Sequence, residues 1–361
     1  MHIHRRVWIE IMLAIAVTHS LAGQEPLIQN GKLAARPAVA GLKTTVESLI
    51  GQSSEPAWIA YSVQMIPGGH SMCCFHGEAG SGCCGGCRLE GEGGAFAANG
   101  PRTALPLEPS RRLLVMLRAD RGRLDKVGAY SMGCTLDAGG RRVFWLGPMD
   151  THQSVDYLAG LVENSDWGES SEKRIANGAL MAIAHHDGSP ADAAMAGFLS
   201  PDKPRKLRKQ SAFWLGSARG ASGYQAVSKA ARNDSDEQFR EDAMFALSVS
   251  KENAAIDELM HFARSDSSAG VRKQALFWLA QKAGKKAAGM LTEAIENDPD
   301  TQVKKHAVFA LGQLPKEEGV PLLIDVARKN RNPVVRKQAM FWLGQSNDPR
   351  ALQFFEEVLA R

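Results

Sequence analysis

Apolar residues recur with a helical period through the second half of the chain. Counting from Val271, the residues 4, 7 and 8 further on are Ala275, Trp278 and Leu279, which at about 100° per residue fall on one face of a helix. The pattern VRKQALFWLA returns as VKKHAVFALG from Val303 and VRKQAMFWLG from Val335, and in looser form from Leu207, Phe239 and Ile175. Copies therefore start at 175, 207, 239, 271, 303 and 335, with no insertion between them. Each predicts a second helix, because the residues 20, 23 and 24 after the start are again apolar; Leu323, Val326 and Ala327 are one set, and Phe355, Val358 and Leu359 another. Asp236, Ser268, Asp300 and Asn332 stand just before a first helix, where a side-chain oxygen caps free amides, and Pro333 takes the first helical position. Gly216, Gly312 and Gly344 follow the closing Leu, a place where a helix C-terminus favours glycine. Units that cannot bury their apolar faces alone must stack, so residues 169–361 are predicted to form an all-α solenoid of six two-helix repeats.

On this V-R-K-x-A…L-G core, with Asp or Asn before the next helix, the second half resembles the HEAT-repeat family, in particular the short variety also found in phycobilin lyases. The resemblance covers about 190 residues. It implies the fold and a binding scaffold. The family's hydroxylases carry iron on repeated His-Glu pairs; this sequence holds no His-Glu dipeptide, so that activity is not carried over. The likeness to bilin lyases is one of fold, with no motif behind it.

Two rows set these repeats apart. The seventh position after each start reads Ala182, Trp214, Ala246, Trp278, Ala310, Trp342, an alternation in which an indole fills the space over a neighbouring alanine. A tryptophan-lined groove is the alternative. The sixth position reads Met181, Phe213, Phe245, Phe277, Phe309, Phe341, away from the main apolar face and one turn after Lys209, Lys273, Lys305 and Lys337. It is either a phenylalanine ladder buried between stacked helices or a half-exposed stripe suited to a protein partner. Arg208, Arg240, Arg272, Lys304 and Arg336 form a third, basic row, expected to be a solvated face.

The first half follows a different pattern. Residues 23–43, rich in Gly, Ala and Pro, read as a flexible leader, and Thr44 to Ile50 as a short helix. Trp58 to Met65 alternates as a strand does, as do Leu113 to Ala119, Leu124 to Ser131, Met132 to Asp137 and Arg142 to Leu146. Asp120-Arg121-Gly122 and Ala138-Gly139-Gly140 supply turns. Together these predict a small α+β domain with an antiparallel sheet over 44–149. Asp150 and Gln153 look like a capping box opening a linking helix within 150–168.

The candidate chemistry lies in the glycine-rich stretch 68–100, which holds Cys73, Cys74, Cys83, Cys84 and Cys87 with His70 and His76; Cys134 stands apart. Six cysteines most simply make up to three disulfides, with 15 possible connectivities. Alternatively, Cys84-Gly85-Gly86-Cys87 has zinc-ligand spacing, and Cys73, Cys74, His70 or His76 could complete a shell. A thiol-redox pair is the third reading, although the helix that would activate Cys84 is missing from the sequence that follows. His185 and His186 close a predicted helix, where the dipole favours them. No nucleophile-elbow, phosphate-loop or zinc-protease motif occurs.

Compartment and charge narrow the classes. Arg5 and Arg6, an apolar run from Val7 to Val17 broken by Glu10, and Ser20-Leu21-Ala22 read as a signal peptide over 1–22. The protein is thus expected to be exported, periplasmic or secreted, with no membrane span after cleavage. The whole chain has 43 basic and 39 acidic residues, a balance that argues against nucleic acid. The expectation is a non-enzymatic scaffold without cofactor. It would bind a protein partner through Phe213, Phe245, Phe277, Phe309 and Phe341 with their lysines. A zinc or thiol-redox module in the cysteine loop, with the solenoid as docking arm, is the alternative.

Overall fold

The structure is a computed structural model; it describes residues 25–68, 86–91, 94–96, 111–167 and 173–360. The chain divides into two units, Met1–Ala191 and Asp192–Arg361.

The first unit is α+β. Its larger sheet has the order β2 (Lys32–Ala35), β9 (Arg142–Pro148), β3 (Ala57–Gln64), β6 (Arg112–Asp120), β7 (Arg123–Ser131). The smaller sheet runs β1 (Ile28–Gln29), β8 (Leu136–Asp137), β4 (Gly86–Arg88), β5 (Gly94–Phe96). The pairs β3–β6 and β6–β7 are antiparallel, as the hairpin turn requires: Arg121 and Gly122 both take positive φ, 49° and 75°. The strand β9 instead enters parallel to both β2 and β3, which makes the sheet mixed. Residues 23–43 are not wholly a leader, since β1 and β2 form within them. Neither has strong strand propensity; each exists because β8 or β9 offers a free ladder of amides and carbonyls. Only Leu136–Asp137 of the stretch 132–137 is strand, Met132 and Gly133 turning instead.

The central strand is buried on both faces. Trp58 and Ala60 join Leu114, Met116, Tyr130, Met132, Leu136 and Trp145 in one core between the sheets, and Cys87 and Cys134 lie in it. Ile59, Tyr61 and Val63 point the other way, toward the side covered by α1 (Leu42–Gly51), α2 (Thr151–Glu163) and α3 (Lys173–His185). Asp150 caps α2 by accepting from the Gln153 amide, at 3.1 Å. The capping box is not closed, however: Gln153 Oε1 accepts from the Leu42 amide and so caps α1 (3.1 Å).

The helix α3 is the first helix of the copy that starts at Ile175, and it packs along β7 and α2. Gly178 permits this, because a Cβ there would drive into the Val127 carbonyl. The solenoid unit accordingly begins at Asp192 rather than 169.

In the second unit, α4 (Ser189–Gly197) precedes five helix pairs: α5 (Arg205–Ala218) and α6 (Gly220–Asn233), α7 (Glu237–Val249) and α8 (Ala254–Ser265), α9 (Ala269–Ala283) and α10 (Lys285–Asn297), α11 (Thr301–Gly312) and α12 (Lys316–Lys329), α13 (Pro333–Gln345) and α14 (Pro349–Leu359). Asp236, Ser268, Asp300 and Asn332 each cap the helix that follows. First helices pack on first helices along the whole stack, whereas second helices meet their neighbours at few points.

Two sequence expectations change here. The glycines after the closing Leu do not cap: Gly216 lies inside α5, buried where a Cβ would meet the Ala246 carbonyl of α7. Nor is the basic row a solvated face. Arg208 and Arg272 are buried, and each arginine of three successive copies pairs with an aspartate 26 residues on, in Arg208–Asp234, Arg240–Asp266 and Arg272–Asp298. Each aspartate also accepts the amide two residues later, as Asp266 does from Ser268 (2.8 Å). Arg240 and Arg272 donate in addition to backbone carbonyls of the turn, at 2.9–3.4 Å. Arg208, Arg240 and Arg272 thus form a ladder that ties each of their helices to the turn after its own second helix, whereas Lys304 and Arg336 bond to carbonyls at the turn before theirs.

Candidate functional site

The outward face of the first helices carries both candidate rows. Residues 2, 3, 6 and 10 positions after each start fall there, because the start itself and the fourth, fifth and eighth positions are taken by the core. Phe213, Phe245, Phe277 and Phe309 are half-buried on it, and Phe341 is 54% exposed.

The rings form an unbroken run across five helices. Phe213 stacks on Phe245 at 5.8 Å and Phe277 on Phe309 at 6.0 Å. Trp278 and Trp342 supply the missing links, 4.7 Å from Phe245 and 5.1 Å from Phe309, and each touches the Phe before it in sequence. This gives the large–small alternation a second meaning. The alanines Ala182, Ala246 and Ala310 are fully buried, while the tryptophans stay half-exposed and belong as much to the surface run as to the packing. Assigned to the core alone, they would be missed; the signal was their adjacency to the phenylalanine at every second copy.

The lysines divide into two groups. Lys209 Nζ is neutralised by Asp242 of the next helix (2.8 Å), which also takes Arg205 (3.1 Å). Lys273, Lys305 and Lys337 have no carboxylate partner among the described residues, and Lys305 only reaches Gln302 Oε1 at 3.5 Å. Asp242 occupies the third position of its copy, where three others carry glutamine and one His306.

His306 sits among the rings, 6.2 Å from Phe277 and 5.4 Å from Phe309, and its buried Nε2 has no hydrogen-bond partner among the described residues. Burial, and then the nearby Lys273 charge, hold its pKa below the usual histidine range. With the folded-state pKa depressed, the unfolded chain binds the proton first as pH falls. The contribution of this group is thus complete above about pH 6.5 and is lost below it. His306→Gln is expected to flatten the fall of Tm between about pH 7 and 5, measured by thermal denaturation.

Cys87 and Cys134 are buried and disulfide-bonded. Cys73, Cys74, Cys83, Cys84, His70 and His76 lie outside the described residues, and with them the zinc and thiol-redox readings. Among the described residues, no three His, Cys, Asp or Glu side chains gather as a metal shell. The segment bearing Cys87 is anchored through Glu90, which accepts from Trp58 Nε1 (2.8 Å) and from Arg118 Nε and Nη2 (3.0 and 3.1 Å). Desolvation raises the Glu90 pKa, yet these donors outweigh it and hold the carboxyl ionised below its ordinary value. His186 is fully buried, between the Ala182 carbonyl and Ser154 Oγ (both 2.7 Å), and Ser154 reaches the Tyr61 hydroxyl at 2.9 Å. The chain Tyr61–Ser154–His186 joins β3 to the end of α3 with no route to solvent, a structural role. Alkylation without reduction is expected to leave Cys87 and Cys134 unlabelled in peptide mass maps, and labelling of either would show its bridge to be open.

Comparison with known proteins places the repeat. Residues 289–361 match the family model for HEAT repeats. None of the curated proteins matches the sequence. Similar solved structures include human deoxyhypusine hydroxylase, with 19% identity over 57% of this chain and 90% of that one and a TM-score of 0.31. The phycocyanin lyase complex of CpcE and CpcF from Nostoc shares 18% identity over 43% of this chain and 98% of that one, at a TM-score of 0.34. The condensin Cnd3–Cnd2 subcomplex of S. pombe shares 17% over 57% of this chain and 30% of that one, at 0.36. These likenesses concern the fold. Since they include a hydroxylase and a lyase, the expectation that the chain is not an enzyme is corrected: HEAT-type solenoids are compatible with catalysis. Among the described residues, no helix is long and apolar enough to cross a membrane.

Proposed function

We propose that this HEAT-type solenoid binds a protein partner along the outward face of its first helices, and that the protein works outside the cytoplasm. The observation that carries the binding reading is the unbroken aromatic run from Phe213 to Trp342, left half-exposed where a polar face would be expected on a solvated helix layer. Aromatic rings give large contact area at small entropic cost, and interface cores are enriched in them. Export is supported by the signal-like residues 1–22 and by disulfides at Cys87 and Cys134, which persist in oxidising compartments.

The test uses Phe341, whose exposure makes it replaceable. Phe341→Ser is expected to shift stability by no more than about 0.5 kcal/mol. A photoreactive residue replacing Phe341 in the producing cells should give a protein adduct, whereas the same residue replacing Glu357 on α14 should not. Adducts from both positions in equal yield, or partner binding untouched by Phe341→Ser, would sink the reading.

A further inference from the structure

In the last repeats of the solenoid the acidic side chains are segregated between the two layers of helices. The helices α9, α11 and α13 contain no aspartate or glutamate, while α8, α10, α12 and α14 each contain at least two. Of the bases on α9, α11 and α13, Arg272 is spent on Asp298, Lys282 on the carbonyls of Ser248 and Ser250, Lys304 on the Glu296 carbonyl, and Arg336 on those of Asn330 and Arg331. What is left is one lysine per helix with neither a carboxylate nor a backbone-carbonyl partner among the described residues, always four residues before the ring of Phe277, Phe309 or Phe341. At the other end of the run, Asp242 is paired with both Lys209 and Arg205. Lysines of this row without a carboxylate partner among the described residues are therefore confined to the last three first helices.

We propose that the occupant of the aromatic face is an extended acidic segment of the partner protein, lying across α9, α11 and α13 with a carboxylate at about every third residue. Packed helices stand about 8–10 Å apart, so lysines at equivalent positions recur at that interval. Three residues of polyproline II span about 9 Å. A chain in that conformation meets one lysine per turn with its carboxylates and lays the residues between on the phenylalanine rings. A polynucleotide is disfavoured by an overall charge of only +4. The assignment rests on the aromatic-face reading, and the experiment separates the two.

The full chain is titrated, by fluorescence anisotropy, with a labelled peptide of repeating Glu-Pro-Leu, roughly fifteen residues or ~46 Å of polyproline II. The same peptide with Gln for Glu, and an oligothymidylate of equal length, serve as the other probes. The acidic peptide is expected to bind and the Gln peptide to bind about tenfold more weakly, because exposed ion pairs are individually weak and three act together. Combining Lys273→Gln, Lys305→Gln and Lys337→Gln should erase that difference and flatten the salt dependence, while the three Lys→Arg changes keep both. Equal binding of the Glu and Gln peptides, lost in Phe341→Ser, overturns the acidic assignment and leaves the aromatic face standing. Acidic-peptide binding indifferent to Phe341→Ser overturns the aromatic reading on which the assignment rests. Tighter binding of the oligothymidylate through the same lysines overturns the peptide in favour of nucleic acid. No binding of the acidic peptide at millimolar concentration also overturns it.

Discussion

Arg272→Ala is expected to destabilise the protein by about 3–5 kcal/mol. The guanidinium makes a two-pronged contact with Asp298, Nε to Oδ2 at 2.8 Å and Nη2 to Oδ1 at 3.1 Å. Its remaining donor holds the carbonyls of Asp266 and Ser267 (2.9 and 3.2 Å). Side-chain exposure is 9% for Arg272 and 5% for Asp298, so water cannot replace the lost partner. The alanine variant leaves a buried carboxylate held only by the Asp300 amide and two carbonyls of the turn without their donor. A double-mutant cycle with Asp298→Ala should show that the second substitution costs much less once the first is made, since no lone charge then remains. The denaturant midpoint of the full chain reads both. A loss below about 1 kcal/mol would mean that the pair is solvated like a surface bridge.

The second large effect is expected in the other unit. Gly178→Val places a branched side chain where α3 lies against β7, with the Val127 carbonyl well inside contact distance. The obstacle is backbone, so no rotamer relieves it, and α3 must lift from the sheet at a cost of about 3 kcal/mol. Gly178→Ala should lose less, because the helix propensity of alanine returns about 1 kcal/mol. Gly289 on α10 is the control. A Cβ there meets nothing within 4 Å, so Gly289→Ala should stabilise by about 0.5–1 kcal/mol. Thermal denaturation distinguishes the sites, and a Gly178→Val variant as stable as the parent would show that α3 does not rest on β7.

The candidate face was legible in part. The recurring Phe and Lys positions mark it, and helical periodicity alone puts them off the core. Its composition was not: that Lys209 is cancelled by Asp242 while Lys273, Lys305 and Lys337 are not depends on which helices become neighbours. The same holds for the role of Trp278 and Trp342 as links between rings of successive helices.

Helix period, caps and the 32-residue repeat were determined by the sequence itself, because each is a short-range property. An apolar face needs only 3.6-residue spacing, and Asp300 caps the amide of Gln302 whatever the rest of the chain does. Tertiary structure alone decided which apolar faces meet. The first copy obeys the repeat pattern, yet its first helix packs on a sheet, because Gly178 admits β7 to a face that Gln and His close elsewhere. The segments of β1 and β2 carry no strong signal and become strands by pairing with β8 and β9 more than 100 residues away. The basic row looked solvated until Arg208, Arg240 and Arg272 each found an aspartate at the far end of the same repeat. Local pattern specifies elements; partners are chosen by packing, where burial and charge pairing between distant residues compete.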